Sequence, residues 1–198
     1  EEARSIFGYE DLPTILFLGG SQGASKINDV LIEILPEILK ETKIIHQCGK
    51  NNFDEVSKRT SVVLEQSQFK NRYKLFSFLD EDTLRNAALI SALIVSRSGA
   101  GAIFEIAAWG KPSILIPISD SAQDHQRENA YAYARAGGAM VVEEGNLAPH
   151  ILLAEIKKLL ADKSRLEKMS VSASSFAKIG SAEVLARQVI LLALEHSR

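Results

Sequence analysis

Ala92-Leu93-Ile94-Val95-Ser96-Arg97-Ser98-Gly99-Ala100-Gly101, running on as Ala102-Ile103-Phe104-Glu105-Ile106-Ala107-Ala108-Trp109-Gly110-Lys111-Pro112, is the stretch on which the fold turns. Its apolar, β-branched opening predicts a buried strand, because a strand covered on both faces reads as a continuous hydrophobic run. Small residues follow, and Gly99 and Gly101 let the backbone come close to whatever sits beside them. A helix is then expected, with Ser96 or Ser98 near its N-cap and Gly110 and Pro112 closing it. Free N–H groups at a helix start attract an anion, and the macrodipole adds to that attraction. Glu105 falls about one and a half turns into this helix. There it either supports the dipole or accepts hydrogen bonds from a sugar diol.

The same strand–turn–helix unit recurs on both sides of this stretch. Upstream, Thr14–Leu18 is an apolar strand that stops at Gly19-Gly20-Ser21-Gln22-Gly23-Ala24-Ser25. Ile27, Val30, Leu31, Ile34, Leu35 and Ile38 then share one helical stripe, and Pro36 is expected to kink or end that helix near Leu35. Further strands are read at Lys43–Gln47 and Tyr73–Phe78, with a polar helix from Phe53 to about Gln66 between them. Asp80 opens another helix. Downstream come strands at Ser113–Ile118 and Ala139–Val142, flanking a helix that contains His125, Gln126, Asn129 and Tyr133 and ends at Gly137-Gly138. After Asn146 only helices are expected, over roughly 148–161, 164–178 and 182–196. Residues 1–13 read as a connector, leaving 14–198 as one domain.

Six apolar strands alternating with helices predict an α/β fold, a Rossmann-like, doubly wound parallel sheet with C-terminal helices. The usual strand order for such a chain is 3-2-1-4-5-6, and its ligand crevice opens where strands 1 and 4 adjoin. That order sets the turn after Leu18 beside the turn after Ser96. Two glycine-rich helix starts then converge on one crevice.

Composition narrows the function classes. The 198 residues carry a formal net charge of −2, with 46% hydrophobic and 24% charged residues, which argues against a nucleic-acid binder and fits a globular domain. Cys48, the single cysteine, excludes an internal disulfide and fits a reducing compartment. No run approaches the roughly 20 apolar residues that span a bilayer. A chain opening at Glu1 rather than methionine is read as a fragment or a processed piece. No His/Cys/Asp cluster has metal-ligand spacing, so neither a metal nor another cofactor is expected.

Gly19-Gly20-Ser21-Gln22-Gly23 lacks the G-x-G-x-x-G spacing of dinucleotide sites, and no P-loop occurs. The polar groups at the crevice suit a diphosphate with hydroxyl-rich ends instead. Ser21, the backbone of Gly20–Gly23 and the helix start at Ser98-Gly99-Ala100 are placed to take phosphate oxygens. Glu105 suits a ribose diol. His125, Gln126 and Asn129, within about one helical turn, suit sugar hydroxyls. His46 and Arg97 each carry two readings: a phosphate contact, or a group that braces its own loop. Trp109 and Tyr133 are read as packing.

At these residues the chain resembles the C-terminal half of the bacterial enzymes that add N-acetylglucosamine to undecaprenyl-diphosphate-N-acetylmuramoyl-pentapeptide (lipid I), making the lipid II of peptidoglycan synthesis. The matching motifs are Gly19-Gly20-Ser21-Gln22-Gly23-Ala24, His46-Gln47-Cys48-Gly49-Lys50, Phe78-Leu79-Asp80 and Ser96-Arg97-Ser98-Gly99-Ala100. Glu105–Pro112 and Asp124-His125-Gln126 followed by Asn129-Ala130 complete the set, in order, over essentially the whole chain. Gly101-Ala102 departs from it, standing where relatives often carry a hydroxyl residue.

The resemblance implies one half of a two-domain GT-B glycosyltransferase and assigns roles. Ser21 would contact the nucleotide, Leu79 would pack at the uracil, and the Ala100 backbone would meet sugar or phosphate. Glu105 would hold the ribose, and His125, Gln126 and Asn129 the N-acetylglucosamine. It further implies UDP-N-acetylglucosamine as partner and an N-terminal half bearing the catalytic base, the lipid acceptor site and the membrane patch. The intact enzyme would then work at the cytoplasmic face of the bacterial inner membrane, while the fragment alone would be soluble and inactive. Two other readings share the architecture: the catalytic subunit of a dolichol-linked N-acetylglucosaminyltransferase, and a UDP-N-acetylglucosamine 2-epimerase-like domain. A nucleotide-sensing module is the alternative without catalysis.

Overall fold

The computed structural model describes residues 12–20, 24–118 and 125–177. Strands β1 (Thr14–Leu18), β2 (Lys43–Gln47), β3 (Tyr73–Phe76), β4 (Ser91–Ser96), β5 (Ser113–Leu115) and β6 (Ala139–Val141) form one sheet in the order β3-β2-β1-β4-β5-β6. Every pairing is parallel. Helices α1 (Ser25–Ile38), α2 (Phe53–Val63), α3 (Glu81–Ile90), α4 (Ala100–Ala108), α5 (His125–Arg135), α6 (Pro149–Ala161) and α7 (Lys163–Phe176) complete the described elements. Both the predicted class and the predicted strand order hold. The helix expected over 182–196, and most of the connector before Pro13, lie outside the described residues.

Strand alternation divides the interior into two apolar layers. Ile15 and Phe17 of β1 point to one side, where α1 and α6 supply Ile27, Leu31, Leu35, Ile156 and Leu159. Leu16 and Leu18 point to the other, where α3, α4 and α5 supply Ala87, Ala88, Ile103, Ile106 and Tyr133. Burial of this kind, worth about 25 cal/mol per Å² of apolar surface, fixes the central strands. A smaller cluster of Ile32, Cys48 and Val56 attaches α2 to the outer side of α1.

Several boundaries differ from the pattern reading. α1 runs past Pro36 to Ile38, because the proline is exposed in the last turn while Leu35, Ile38 and Leu39 are anchored in the core. β3 stops at Phe76 rather than Phe78. β5 stops at Leu115, although Ile116 N–H still reaches the Ser96 carbonyl at 2.9 Å. Asp80 does open α3, its carboxylate accepting from Thr83 N–H at 2.8 Å.

The turn after β1 is tightly built. Gly19 N–H donates to the Gln47 carbonyl at 2.8 Å, and a Cβ at Gly19 would stand 3.0 Å from that same oxygen. Gly20 then takes φ +73°, a left-handed conformation that side chains rarely accept. These two positions explain why the strand must leave the sheet through glycines.

Candidate functional site

A cavity of about 730 Å³ opens at the carboxyl ends of β1, β2 and β4, where strand order reverses. Of the residues anticipated from the sequence, it brings together Gly20, Leu79, Arg97, Gly99, Glu105 and Gln126 in one wall. His125 and Asn129 flank Gln126 on α5, the first exposed and the second half-buried, outside that wall. Ala100 begins α4 at the cavity's rim. Ser21, Gln22, Gly23 and Asp124 lie outside the described residues.

The start of α4 is not capped by a serine, as the sequence had suggested. Gly99 occupies the N-cap with φ −61° and ψ 145° and no side chain bonds to the first turn. Ser98 is fully buried and turns the other way, its hydroxyl donating to the Gln126 carbonyl at 2.7 Å. Two consequences follow. The first N–H groups of α4 keep their donor capacity for a group outside the helix. The β4–α4 turn is also stitched directly to the first turn of α5. Glu105 is exposed on α4 and contributes to the cavity wall, with no ion pair to any described residue.

Arg97 is held away from a free clamping role. One guanidinium nitrogen forms an ion pair with Glu144 and another donates to the Ile116 carbonyl at 3.3 Å. Both ionic side chains are only 15% exposed, so the pair operates where water screens it weakly. The neighbouring Glu143 accepts from Tyr131 Oη at 2.7 Å and pairs with Arg127 Nε at 3.0 Å. The two carboxylates after β6 thereby tie the β4–α4 turn and α5 to one short segment.

His46 belongs to the interior and not to the cavity wall. Its Nε2 lies 2.9 Å from Asn28 Oδ1, and Asn28 Nδ2 already donates to the Cys48 carbonyl at 3.1 Å. Asn28 can therefore only accept, which puts the imidazole proton on Nε2 and leaves Nδ1 to accept from Tyr73 Oη at 2.8 Å. Complete burial pushes the His46 pKa down to about 3, so the ring is neutral at physiological pH. Of its two sequence readings, bracing is the one realised.

Gln47, Phe78 and Arg85 line the cavity although the sequence reading gave none of them a role. Phe78 is 51% exposed, with the Lys50 ammonium 5.2 Å from its ring centroid. Exposed aromatic residues just past a strand carry a weak pattern signal, and Gln47 looked like an ordinary strand end. Trp109, expected as packing, does pack against the apolar layer and also closes one side of the cavity. Among the described residues no group of His, Cys, Asp and Glu is placed to hold a metal, and no helix is long and apolar enough to cross a membrane.

Three kinds of comparison bear on this architecture. Residues 14–184 match the glycosyltransferase family 28 C-terminal domain. Two relatives carry the name UDP-N-acetylglucosamine–N-acetylmuramyl-(pentapeptide) pyrophosphoryl-undecaprenol N-acetylglucosamine transferase. The one from Geobacter metallireducens is 34% identical over 91% of this chain and 48% of its own length. The one from Geobacillus thermodenitrificans is 39% identical over 88% of this chain and 47% of its own. The chain thus spans about half the length of the curated relatives it matches. Among solved structures, Acinetobacter baumannii MurG superposes with a TM-score of 0.76 at 23% identity, covering 94% of this chain and 52% of that one. A Listeria monocytogenes protein described as a putative UDP-N-acetylglucosamine 2-epimerase gives 0.68 at 18%, covering 98% and 48%. Both structural likenesses speak for the fold, whereas the matched domain decides membership: the chain belongs to the glycosyltransferase family 28 C-terminal domain family.

Proposed function

We propose that this domain holds the donor of an inverting N-acetylglucosaminyltransferase, and that the donor is UDP-N-acetylglucosamine. The observation that carries the reading is the uncapped start of α4, at a strand-order switch point, beside a cavity with Glu105 in its wall. A diphosphate at that helix start receives N–H donors and the positive end of the dipole. Glu105 then accepts from the ribose hydroxyls, and Gln126 with its neighbours His125 and Asn129 reads the sugar. The names borne by the relatives support the same donor.

In the reaction an acceptor hydroxyl attacks the anomeric carbon, the bond from that carbon to the diphosphate oxygen breaks, and UDP departs. Charge develops on the departing phosphate. Donors already aimed at it stabilise that charge more in the transition state than in the bound donor, which is the condition for a faster chemical step. The base that takes the acceptor's proton belongs, on this reading, to a second domain of the intact enzyme, as does the site for lipid I. The product is lipid II, made for the cell wall at the cytoplasmic face of the inner membrane.

Calorimetry with UDP and UMP tests the donor site. UDP binding tightly and UMP at least about tenfold more weakly is the expected result, since only the second phosphate reaches the α4 start. Equal affinities overturn the diphosphate placement. Labelled UDP-N-acetylglucosamine offered with lipid I to the full-length gene product tests the reaction itself.

A further inference from the structure

We propose that Glu144 is a positioning residue: it holds the Arg97 guanidinium back from the diphosphate of the bound nucleotide, and so keeps UDP releasable. The inference rests on the donor-site reading above and adds to it a control on how tightly the site grips its product. Arg97 lies two residues before Gly99, the N-cap of α4, and both line the cavity. A guanidinium is always charged, and its fork of N–H donors matches the oxygens of a phosphate. A cation at this place is built to clamp an anion. Its donors are nevertheless engaged elsewhere. Nη2 is ion-paired with the Glu144 carboxylate, and Nη1 donates to the Ile116 carbonyl at 3.3 Å.

Glu144 pulls on Arg97 from outside the cavity wall. It opens the short turn Glu144–Asn146 beyond β6. The preceding residue, Glu143, accepts from Tyr131 Oη and pairs with Arg127 Nε, both on α5. That second attachment keeps the segment from following Arg97 toward a ligand. Both members of the Arg97–Glu144 pair are largely withdrawn from water, so their attraction is weakly screened. A guanidinium left there without its counter-charge is costly. An incoming diphosphate therefore competes with Glu144 for the same cation, and the charge that Glu144 neutralises is withheld from the ligand. Such restraint has a use. Binding that grips substrate and product alike does not speed the chemical step, and slow release of product limits turnover.

The sign of one change in affinity separates restraint from bracing. UDP is titrated by calorimetry into the wild type, Glu144→Ala, Arg97→Ala and the double variant, with thermal unfolding of each free protein as a check on folding. Glu144→Ala is expected to bind UDP about tenfold more tightly than the wild type, because the freed guanidinium turns to the diphosphate. In the Arg97→Ala background the same substitution should change UDP affinity by less than about twofold. A residue that only braced the turn would give the opposite sign, since a loosened α4 start binds UDP more weakly. Unchanged or weakened binding in folded Glu144→Ala overturns the proposal, as does a tightening that persists without Arg97. If Glu144→Ala does not fold, Glu144→Gln is read in its place. Its amide oxygen still accepts from the guanidinium but carries no charge, and a tightening of about threefold is expected, with the same outcomes overturning the proposal. A wild type that does not bind UDP instead overturns the donor-site reading.

Discussion

The turns after β1 and β4 look like one motif used twice, yet their glycines serve opposite ends. Gly19 is enclosed by backbone: an added Cβ would meet the Gln47 carbonyl at 3.0 Å, Ala24 N at 3.2 Å and the Cys48 carbonyl at 3.3 Å. None of those atoms belongs to a side chain that can swing aside. At Gly99 the φ is −61° and an added Cβ meets nothing within 4 Å. Neither packing nor backbone conformation asks for glycine there. What remains is room, on the side where the cavity opens. One turn is small because the fold closes on it, and the other leaves open space beside its glycine, on the side where the proposed diphosphate would approach.

That contrast is broken most forcefully at Gly19. Gly19→Val is expected to destabilise the domain by about 3 kcal/mol or more, since overpacking against immovable backbone shifts the sheet itself. Gly99→Ala is expected to cost under about 1 kcal/mol, the scale of an unfavourable cap residue, while weakening UDP binding. Urea unfolding and calorimetry on both variants check this. Comparable loss of stability in the two erases the distinction.

Glu105 sharpens the ligand-directed side. Glu105→Gln keeps the shape and removes the charge, and UDP binding should fall by roughly 1.5–3 kcal/mol, as for hydrogen bonds to a charged group. The deficit should nearly vanish with 2′,3′-dideoxy-UDP. If variant and wild type discriminate UDP from its dideoxy form equally well, the carboxylate does not hold the ribose.

A smaller effect is expected where α5 meets the β4 turn. In the full-length enzyme, Gln126→Ala or Asn129→Ala should lower kcat/KM for UDP-N-acetylglucosamine by about tenfold, or 1.4 kcal/mol, with UDP affinity nearly unchanged. Preference over UDP-N-acetylgalactosamine should shrink as well. Ser98 bonds to the Gln126 carbonyl and not to its side chain, so the stitch between the turns survives both substitutions. Weakened UDP binding with intact sugar preference would therefore count against sugar reading.

The smallest effect belongs to the fold-directed side. His46 is neutral in the folded protein down to about pH 3, whereas in the unfolded chain it takes a proton near pH 6.5. As pH falls below about 6.5 the unfolded state binds more protons, so stability declines through the window from 6.5 toward 3 and is fully present above it. By pH 6 the loss is about 0.8 kcal/mol from this residue. Thermal unfolding at pH 7.5 and 6 should show it, and His46→Gln should flatten the dependence. An unchanged slope in that variant would assign the acid sensitivity elsewhere.

Much of this was legible in the residues themselves. Buried parallel strands read as unbroken apolar runs, so Thr14–Leu18 carries its own boundaries, and Asp80 announces α3 by a local cap. Strand order followed from the usual arrangement of six alternating strand–helix units, and it alone brought Gly20, Gly99 and Glu105 to one place. What the pattern missed depends on contacts distant in sequence. Ser98 resembles a cap until Gln126 offers it a buried acceptor. His46 resembles a phosphate ligand until Asn28 and Tyr73 occupy both ring nitrogens. Arg97 is neutralised by Glu144, a residue that belongs to no motif. Pro36 breaks a helix in isolation, but here burial of its neighbours outweighs the lost hydrogen bond.

The sheet order has a consequence in time as well as in space. β1, β2 and β3 are neighbours in both sequence and sheet, and so are β4, β5 and β6, but the central pairing joins Thr14 to Ser91 and Leu18 to Ser96. Each half can form through short loops, while the join between them must wait for a long loop to close, the slow kind of event in folding. The cavity lies across that join. An occupant bridging the β1 and β4 turns therefore grips the first half of the chain to the second and binds only when they have met. It raises the free energy of separating them by mass action. In hydrogen exchange the largest gain in protection should fall on the amides of β1 and β4, in the interior of the molecule, and not on the loops that touch the ligand.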